Sequence, residues 1–311
     1  MSNYKNAAQH AASSVHLTRR TALKGFGVAG LAMLFATQGV SLAKTRKDQY
    51  RKLAIAAVNY RFRLPASVPA GYTEVTLDNK GTEAHHAMFM RLHKGITVAN
   101  FMDVAKNKDL GALFAISSSI GGPGSADGGH ESSVILDLKA GHYVVICVVP
   151  DAAGMPHYKM GMLAPLTVTA TSRMGKAPVA DATVDMVDFG YNGLPKTIPA
   201  GKHVWKVVDT GKQLHEMVVH RLSPGVSYEQ AKAMLLASPP PGSPAAAAAP
   251  APTTLPPFVD VAGVAPMSPG EANWAVFDFK PGRYFVACFI PDIHSGKPHF
   301  DLGMIMPFTV V

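Results

Sequence analysis

Histidine, cysteine and methionine recur in two groups with nearly the same order and spacing. In the first group, Cys147 is followed by His157 ten positions later and by Met162 five positions after that. The second group has the same order, with an interval of eleven and then five positions, and consists of Cys288, His299 and Met304. Thiolate, imidazole and thioether together favour copper among the biological metals. The two groups therefore predict two mononuclear copper sites.

Each group has a further histidine upstream, His85 in the first and His215 in the second. Two imidazoles, one thiolate and a weak axial thioether form the ligand set of electron-transfer copper. His86 is an alternative to His85 as a ligand, and the alignment of the two groups favours His85. A single buried cysteine or methionine is ordinary core material. The same four residue types in the same order twice indicate a site.

The groups belong to a long internal repeat. Residues 68–92 align with residues 198–222 at an offset of 130, and residues 139–151 align with residues 280–292 at an offset of 141. A repeat of this length is a duplicated domain, and 311 residues suffice for two domains of about 150 residues. We predict domains at residues 44–170 and 182–311, a linker at 171–181, and an exposed Pro/Ala-rich loop at 238–257.

The secondary-structure pattern is mostly that of strands. Segments with alternating or continuous apolar residues, bounded by turn residues, predict strands at 72–77, 133–138, 143–149, 203–208, 274–279 and 284–290. One helix is predicted in each repeat, near 98–106 and 227–236, with Thr97 and Ser227 as the N-cap residues. The sequence therefore predicts an all-β protein with two tandem sandwich domains.

Several motifs resemble those of the cupredoxin, or blue copper, family. Residues 79–85 are similar to the segment that delivers the first histidine ligand, and residues 157–162 and 299–304 are similar to the His-x4-Met end of the site, including the glycine before methionine. The resemblance implies two Greek-key β-sandwiches with one type 1 copper each. The implied ligands are His85, Cys147, His157, Met162, His215, Cys288, His299 and Met304. His86 and Glu216 stand where the family commonly has an asparagine that ties the ligand loop together.

The predicted function is electron transfer without catalysis. Ile146 and Ala287 precede the two cysteines, and no His-x-His pair occurs, so the residues that hold a second, catalytic copper in related enzymes are missing from their usual positions. We therefore expect no enzymatic activity. The alternatives are copper storage, delivery or resistance, and a metal-free module of the same fold that binds a partner.

The N-terminus predicts export to the periplasm. Residues 18–24 resemble a twin-arginine motif, residues 25–43 are uncharged, and residues 41–43 suit a signal peptidase. We predict a signal peptide at residues 1–43 and no membrane span after its removal; an uncleaved anchor is the alternative. Removing its four positive charges reduces the net charge from +8 to +4, which argues against a nucleic-acid partner. Redox proteins are the expected partners.

Overall fold

The computed structural model describes residues 50–172, 175–239 and 256–311. The predicted signal peptide and most of the Pro/Ala-rich loop lie outside these residues, as do two positions of the predicted linker. All described residues fall within one compact unit, Lys47–Val311.

Among the described residues, each repeat contributes nine strands. The strands of the first repeat are β1 (Arg51–Val58), β2 (Arg61–Arg63), β3 (Ser67–Pro69), β4 (Gly71–Asn79), β5 (Met88–Leu92), β6 (Ser117–Ser119), β7 (Glu131–Leu138), β8 (Gly141–Ile146) and β9 (Leu163–Thr169). Those of the second are β10 (Ala182–Val187), β11 (Gly190–Asn192), β12 (Thr197–Ile198), β13 (Gly201–Asp209), β14 (His215–Leu222), β15 (Phe258–Met267), β16 (Ala272–Phe279), β17 (Gly282–Ala287) and β18 (Ile305–Val310). The all-β prediction is confirmed.

The helices are short and lie outside the sheets. They are α1 (Val98–Asn107), α2 (Leu110–Phe114) and α3 (Tyr228–Ala237), with 3-10 turns at His157–Met160 and His299–Leu302. Thr97 and Ser227 cap α1 and α3 as predicted, because each side chain accepts a hydrogen bond from the third helical N–H. Helix α2 was not predicted, since its five residues are too few for a helical period to be visible.

The two repeats share one of the sheets in the described part of the chain. One sheet has eight strands in the order β11-β10-β13-β16-β7-β4-β1-β2, so each repeat supplies four. It is continuous because β7 and β16 pair antiparallel, with Val134 opposite Ala275. The other layer contains two five-stranded sheets, β3-β9-β8-β5-β6 and β12-β18-β17-β14-β15. Bridges from Ile120 to Met267 and from Pro123 to Val264 connect these two sheets.

The core lies between the layers. Alternate residues of β4 and β7 point inward and pack against residues of β8 and β9, as the period of two predicts. Both cysteines and the predicted methionine ligands belong to this same buried cluster. The division of the chain into separate domains stays a prediction.

Candidate metal centres

The candidate ligands lie where strands end. Cys147 directly follows β8, His157 opens a 3-10 turn, and Met162 directly precedes β9. His85 lies before β5 and forms an isolated bridge with Ala126. The second repeat has the same arrangement, with His215 as the first residue of β14, and with Cys288, His299 and Met304 at the matching points around β17 and β18.

The first cluster consists of His85, Cys147 and His157, which are all buried. The Nδ1 atoms of the two imidazoles are 3.0 Å apart, and the Cys147 Sγ atom is 3.5 Å from the His157 Nδ1 atom. All three donor atoms lie within 4.8 Å of one another. Three donors therefore converge on one point inside the core.

The second cluster repeats this geometry with His215, Cys288 and His299. Its two Nδ1 atoms are 3.1 Å apart, and the Cys288 Sγ atom is 3.4 Å from the His299 Nδ1 atom. Both cysteines are free and buried, so neither forms a disulfide. The two clusters agree to within 0.1 Å in these distances because the duplicated strand ends hold them in the same way.

Backbone hydrogen bonds close each loop and bring the methionine to the cluster. Cys147 N donates to Met162 O at 3.2 Å, and Met162 N donates to His157 O at 3.0 Å. Cys288, Met304 and His299 repeat these bonds at 3.1 and 2.9 Å. Both methionines are fully buried and belong to the same hydrophobic core as the two cysteines.

The glycine before each methionine has a conformational reason. Gly161 has φ +100° and Gly303 has φ +114°, and each ends a 3-10 turn. Side chains other than glycine rarely adopt this left-handed backbone. The glycine therefore allows the chain to turn from the histidine back into the strand that follows.

Burial determines the charge of the donor atoms. It lowers the pKa of His85 to about 4, and burial together with the nearby His215 lowers the pKa of His299 to about 4. These imidazoles are therefore neutral at pH 7 and offer lone pairs at Nδ1. Burial raises the pKa of the Cys147 thiol to about 12, so a thiolate forms there only when a cation compensates its charge. Two neutral imidazoles beside a buried thiol fit a soft metal ion such as copper.

His86 and Glu216 have the same structural role in the two repeats. The His86 Nε2 atom accepts a hydrogen bond from the Val148 N–H at 2.9 Å, and the Glu216 Oε1 atom accepts one from the Phe289 N–H at 3.1 Å. Each side chain therefore ties the residue after the cysteine to the segment that carries the upstream histidine. His85, and not His86, is the histidine whose Nδ1 atom faces His157.

The outer nitrogen of an imidazole in each cluster contacts a carboxylate, which was not predicted. In the first cluster, His157 Nε2 lies 3.1 Å from Glu83 Oε2. In the second cluster, His215 Nε2 lies 3.1 Å from Asp188 Oδ1. An acceptor at Nε2 holds the ring in the tautomer that leaves Nδ1 free for a metal. Glu83 lies within residues 79–85, the segment that resembles a ligand-bearing segment, whereas Asp188 lies in the turn of a separate hairpin that no motif marked.

No protein-family model and no curated protein matches this sequence. Among solved structures, the chain is similar to auracyanin from Roseiflexus castenholzii, with 22% identity over 42% of this chain and 94% of that one and a TM-score of 0.28. It is also similar to a blue copper oxidase from Nitrosomonas europaea, with 12% identity over 84% of this chain and 85% of that one and a TM-score of 0.23.

A copper-containing nitrite reductase from Thermus scotoductus aligns with 84% of this chain and 61% of its own, at 11% identity and a TM-score of 0.23. The alignments with this reductase and with the oxidase correct the expectation that the protein is not an enzyme. That expectation was wrong because it used only local spacing within one chain. Histidines from distant segments, or from two copies of a chain, can hold a catalytic copper without any His-x-His pair.

The fold and the clusters lead to one conclusion. Two sandwich halves each carry a buried histidine–cysteine–histidine cluster at the ends of central strands. Both clusters fit copper by donor type and by the protonation of their imidazoles. The described residues therefore form a tandem β-sandwich protein with two buried clusters, and each cluster has donors that suit one copper ion.

Proposed function

We propose that the protein is exported and carries electrons through one copper ion in each cluster. The observation that supports this most directly is the convergence of two imidazole Nδ1 atoms and one thiol in a buried position, found twice. Copper held by such donors changes between Cu(I) and Cu(II) by one electron. The proposed ligands are the two histidines and the cysteine of each cluster, with Met162 and Met304 as axial groups.

The residues around each cluster suit this role. The cysteine and the methionine stand at the ends of paired strands, and backbone hydrogen bonds join them directly. Such a frame holds the donors in one arrangement in both oxidation states, so little energy is spent on rearrangement when an electron arrives. Neutral imidazoles and a single thiolate also keep the buried net charge small, which limits the cost of burial.

The absorption spectrum of the copper-loaded protein tests the proposal. We expect an intense thiolate-to-copper absorption that bleaches on reduction and returns on oxidation, with the copper retained. Cys147→Ser and Cys288→Ser should each remove the contribution of one cluster, whereas His142→Ala, at an exposed position outside both clusters, should leave the spectrum unchanged. No such absorption in the wild-type protein would overturn the proposal.

Copper delivery is a second candidate because of two methionines near the first cluster. Met155 is 48% exposed and Met160 is 39% exposed, and both lie in the loop between Cys147 and Met162. Exposed thioethers suit the capture of Cu(I). Ready loss of copper from the reduced protein to a modest Cu(I) chelator would favour delivery over electron transfer.

Export depends on residues outside the described part of the chain. None of the helices within residues 50–172, 175–239 and 256–311 is both long and apolar enough to span a membrane. The twin-arginine motif and the peptidase site support a mature chain that starts near Lys44. N-terminal sequencing of the protein recovered from the periplasm tests this, and a product that retains residues 20–43 would contradict cleavage.

A further inference from the structure

Two aromatic residues stand at equivalent turns in a backbone conformation that favours glycine. Tyr60 has φ +60° in the turn between β1 and β2, and Phe189 has φ +67° in the turn between β10 and β11. Glycine is the usual residue with this backbone in short hairpins. A bulky aromatic side chain there is strained, and such strain persists where the surrounding structure and a function maintain it.

Each of these aromatic rings covers the histidine of a ligand loop. The ring of Tyr60 lies 4.8 Å from the ring of His157, with 60° between the planes. The ring of Phe189 lies 5.1 Å from the ring of His299, with 72° between the planes. Both histidines are fully buried, although they lie in loops and not in strands. The two aromatic side chains are themselves only half-buried, so they stand between an imidazole and the solvent.

Only the first ring is fastened by a hydrogen bond. The Tyr60 hydroxyl donates to Glu83 Oε1 at 2.7 Å, and Glu83 Oε2 lies 3.1 Å from His157 Nε2. The second repeat has no hydroxyl at this position. There Gln213 Oε1 contacts His299 Nε2 at the longer distance of 3.4 Å. The second ring is therefore held by packing alone.

We infer that Tyr60 and Phe189 are lids that close the outer faces of the loop imidazoles, and that the Tyr60–Glu83 hydrogen bond makes the first lid the tighter one. Copper then leaves a cluster only when its hairpin turn opens, and an electron reaches the imidazole through or beside the aromatic ring. The part of this inference that concerns copper rests on the proposed function. The part that concerns access to the imidazole does not.

Histidine labelling of the metal-free protein tests the lids directly. With diethyl pyrocarbonate as the probe and peptide mapping as the readout, His157 and His299 should be protected relative to the exposed His142. Tyr60→Gly should raise labelling of His157 alone by about tenfold or more, because protection of a buried group follows its rate of local opening. Phe189→Gly should do the same for His299 alone.

A glycine control separates the ring from the backbone. Asn59 shares the turn, has φ +42° and is exposed, so Asn59→Gly relaxes the same backbone without removing a ring. We expect it to leave labelling of His157 unchanged, and urea unfolding to show that all three variants remain folded. Unchanged protection of His157 in a folded Tyr60→Gly variant would overturn the inference.

Copper retention tests the difference between the two lids. In single-cluster proteins made with Cys288→Ser or Cys147→Ser, loss of Cu(I) to a chelator should be slower from the first cluster than from the second. Tyr60→Phe keeps the ring and removes the hydroxyl, so it should bring the first rate close to the second. An unchanged rate would overturn the role of the hydrogen bond. If the histidines are labelled as expected but the copper-loaded protein shows no thiolate-to-copper absorption, the lid inference stands and the proposed function is overturned.

Discussion

The two clusters have the same donors and different surroundings. The distances among imidazoles and thiol agree closely between them. The carboxylate, however, contacts the loop histidine in the first cluster, through Glu83, and the upstream histidine in the second, through Asp188. The strand ends that set the donor geometry are therefore independent of the polar groups that contact the imidazole Nε2 atoms. The two repeats have kept the same strand ends and differ in these polar groups.

The largest expected difference between the clusters concerns a glycine near each upstream histidine. A Cβ atom at Gly211 would lie 2.4 Å from His215 Nε2 and 2.7 Å from Asp188 Oδ1, whereas one at Gly81 would lie 3.1 Å from His85 Nε2. Gly211→Ala must displace a buried ring, and overpacking of this kind costs about 1–3 kcal/mol. We expect it to abolish the absorption of the second cluster, while Gly81→Ala retains both. Equal spectra for the two variants would show that the upstream histidines tolerate displacement equally.

A smaller effect is expected at the residue that ties each cysteine strand to the upstream segment. Glu216→Ala leaves the Phe289 N–H without its acceptor in the core, which costs about 1–3 kcal/mol. Glu216→Gln keeps an oxygen at that place. Because burial raises the pKa of Glu216 to about 8, an uncharged amide suits the site, and we expect nearly wild-type stability. Urea unfolding of the metal-free variants measures both effects; a loss as large for Gln as for Ala would contradict the hydrogen-bonding role.

An effect of comparable size, which depends on pH, concerns a buried histidine–aspartate contact of the second repeat. His220 Nδ1 lies 2.7 Å from Asp260 Oδ1, and Met90 occupies the position equivalent to His220 in the first repeat. Burial alone would raise the pKa of Asp260, but His220, Ser125 and His130 together outweigh it, so that the pKa lies below its usual value. A lowered pKa stabilises the fold above the unfolded value of about 3.9, and this contribution is lost as the pH falls through the folded value.

Asp260→Asn should therefore lower the free energy of unfolding by about 2 kcal/mol at pH 7. This is less than the loss of about 3–5 kcal/mol that follows when a fully buried ion pair is broken, because the Asp260 side chain keeps some exposure. The difference from wild type should shrink below about pH 4. Urea unfolding at pH 7 and pH 3 measures it. A difference that is independent of pH would exclude the ion pair as its cause. Met90→Leu serves as the control in the first repeat, because it introduces no charge.

The sequence predicted those parts of the site that depend on short spacing. Cysteine, histidine and methionine share one loop, so their order along the chain translates directly into proximity. The strands that precede Cys147 and Cys288 end at Ile146 and Ala287, so each was predicted three residues too long at this end. Beyond β8, backbone groups of Cys147 and Val149 accept bonds from Tyr158 and His157 in the ligand loop and do not continue the sheet ladder. A continuous run of apolar residues in the sequence does not show whether their backbone groups bond to a neighbouring strand or to a loop.

The contacts that were missed all join distant segments. Tyr60 and Asp188 reach the clusters from hairpin turns, and their residue types alone give no reason to expect it. The pairing of β7 with β16 was missed for the same reason, since the strand pattern does not say which strand lies at the neighbouring edge. A duplication indicates two similar halves, but the register between them depends on a surface that local patterns do not encode.

That register has a consequence for the ancestry of the molecule. At the offset of 141, Val134 pairs with its own counterpart Ala275, and Pro123 pairs with its own counterpart Val264. Pairing of a segment with its own equivalent is the signature of a twofold axis, as in an isologous dimer. An ancestor with one repeat would have left the edge of β7 open, and a second copy could close it by the same pairing. Fusion of two such copies would make a dimer into a single chain, after which the surroundings of the two clusters were free to diverge.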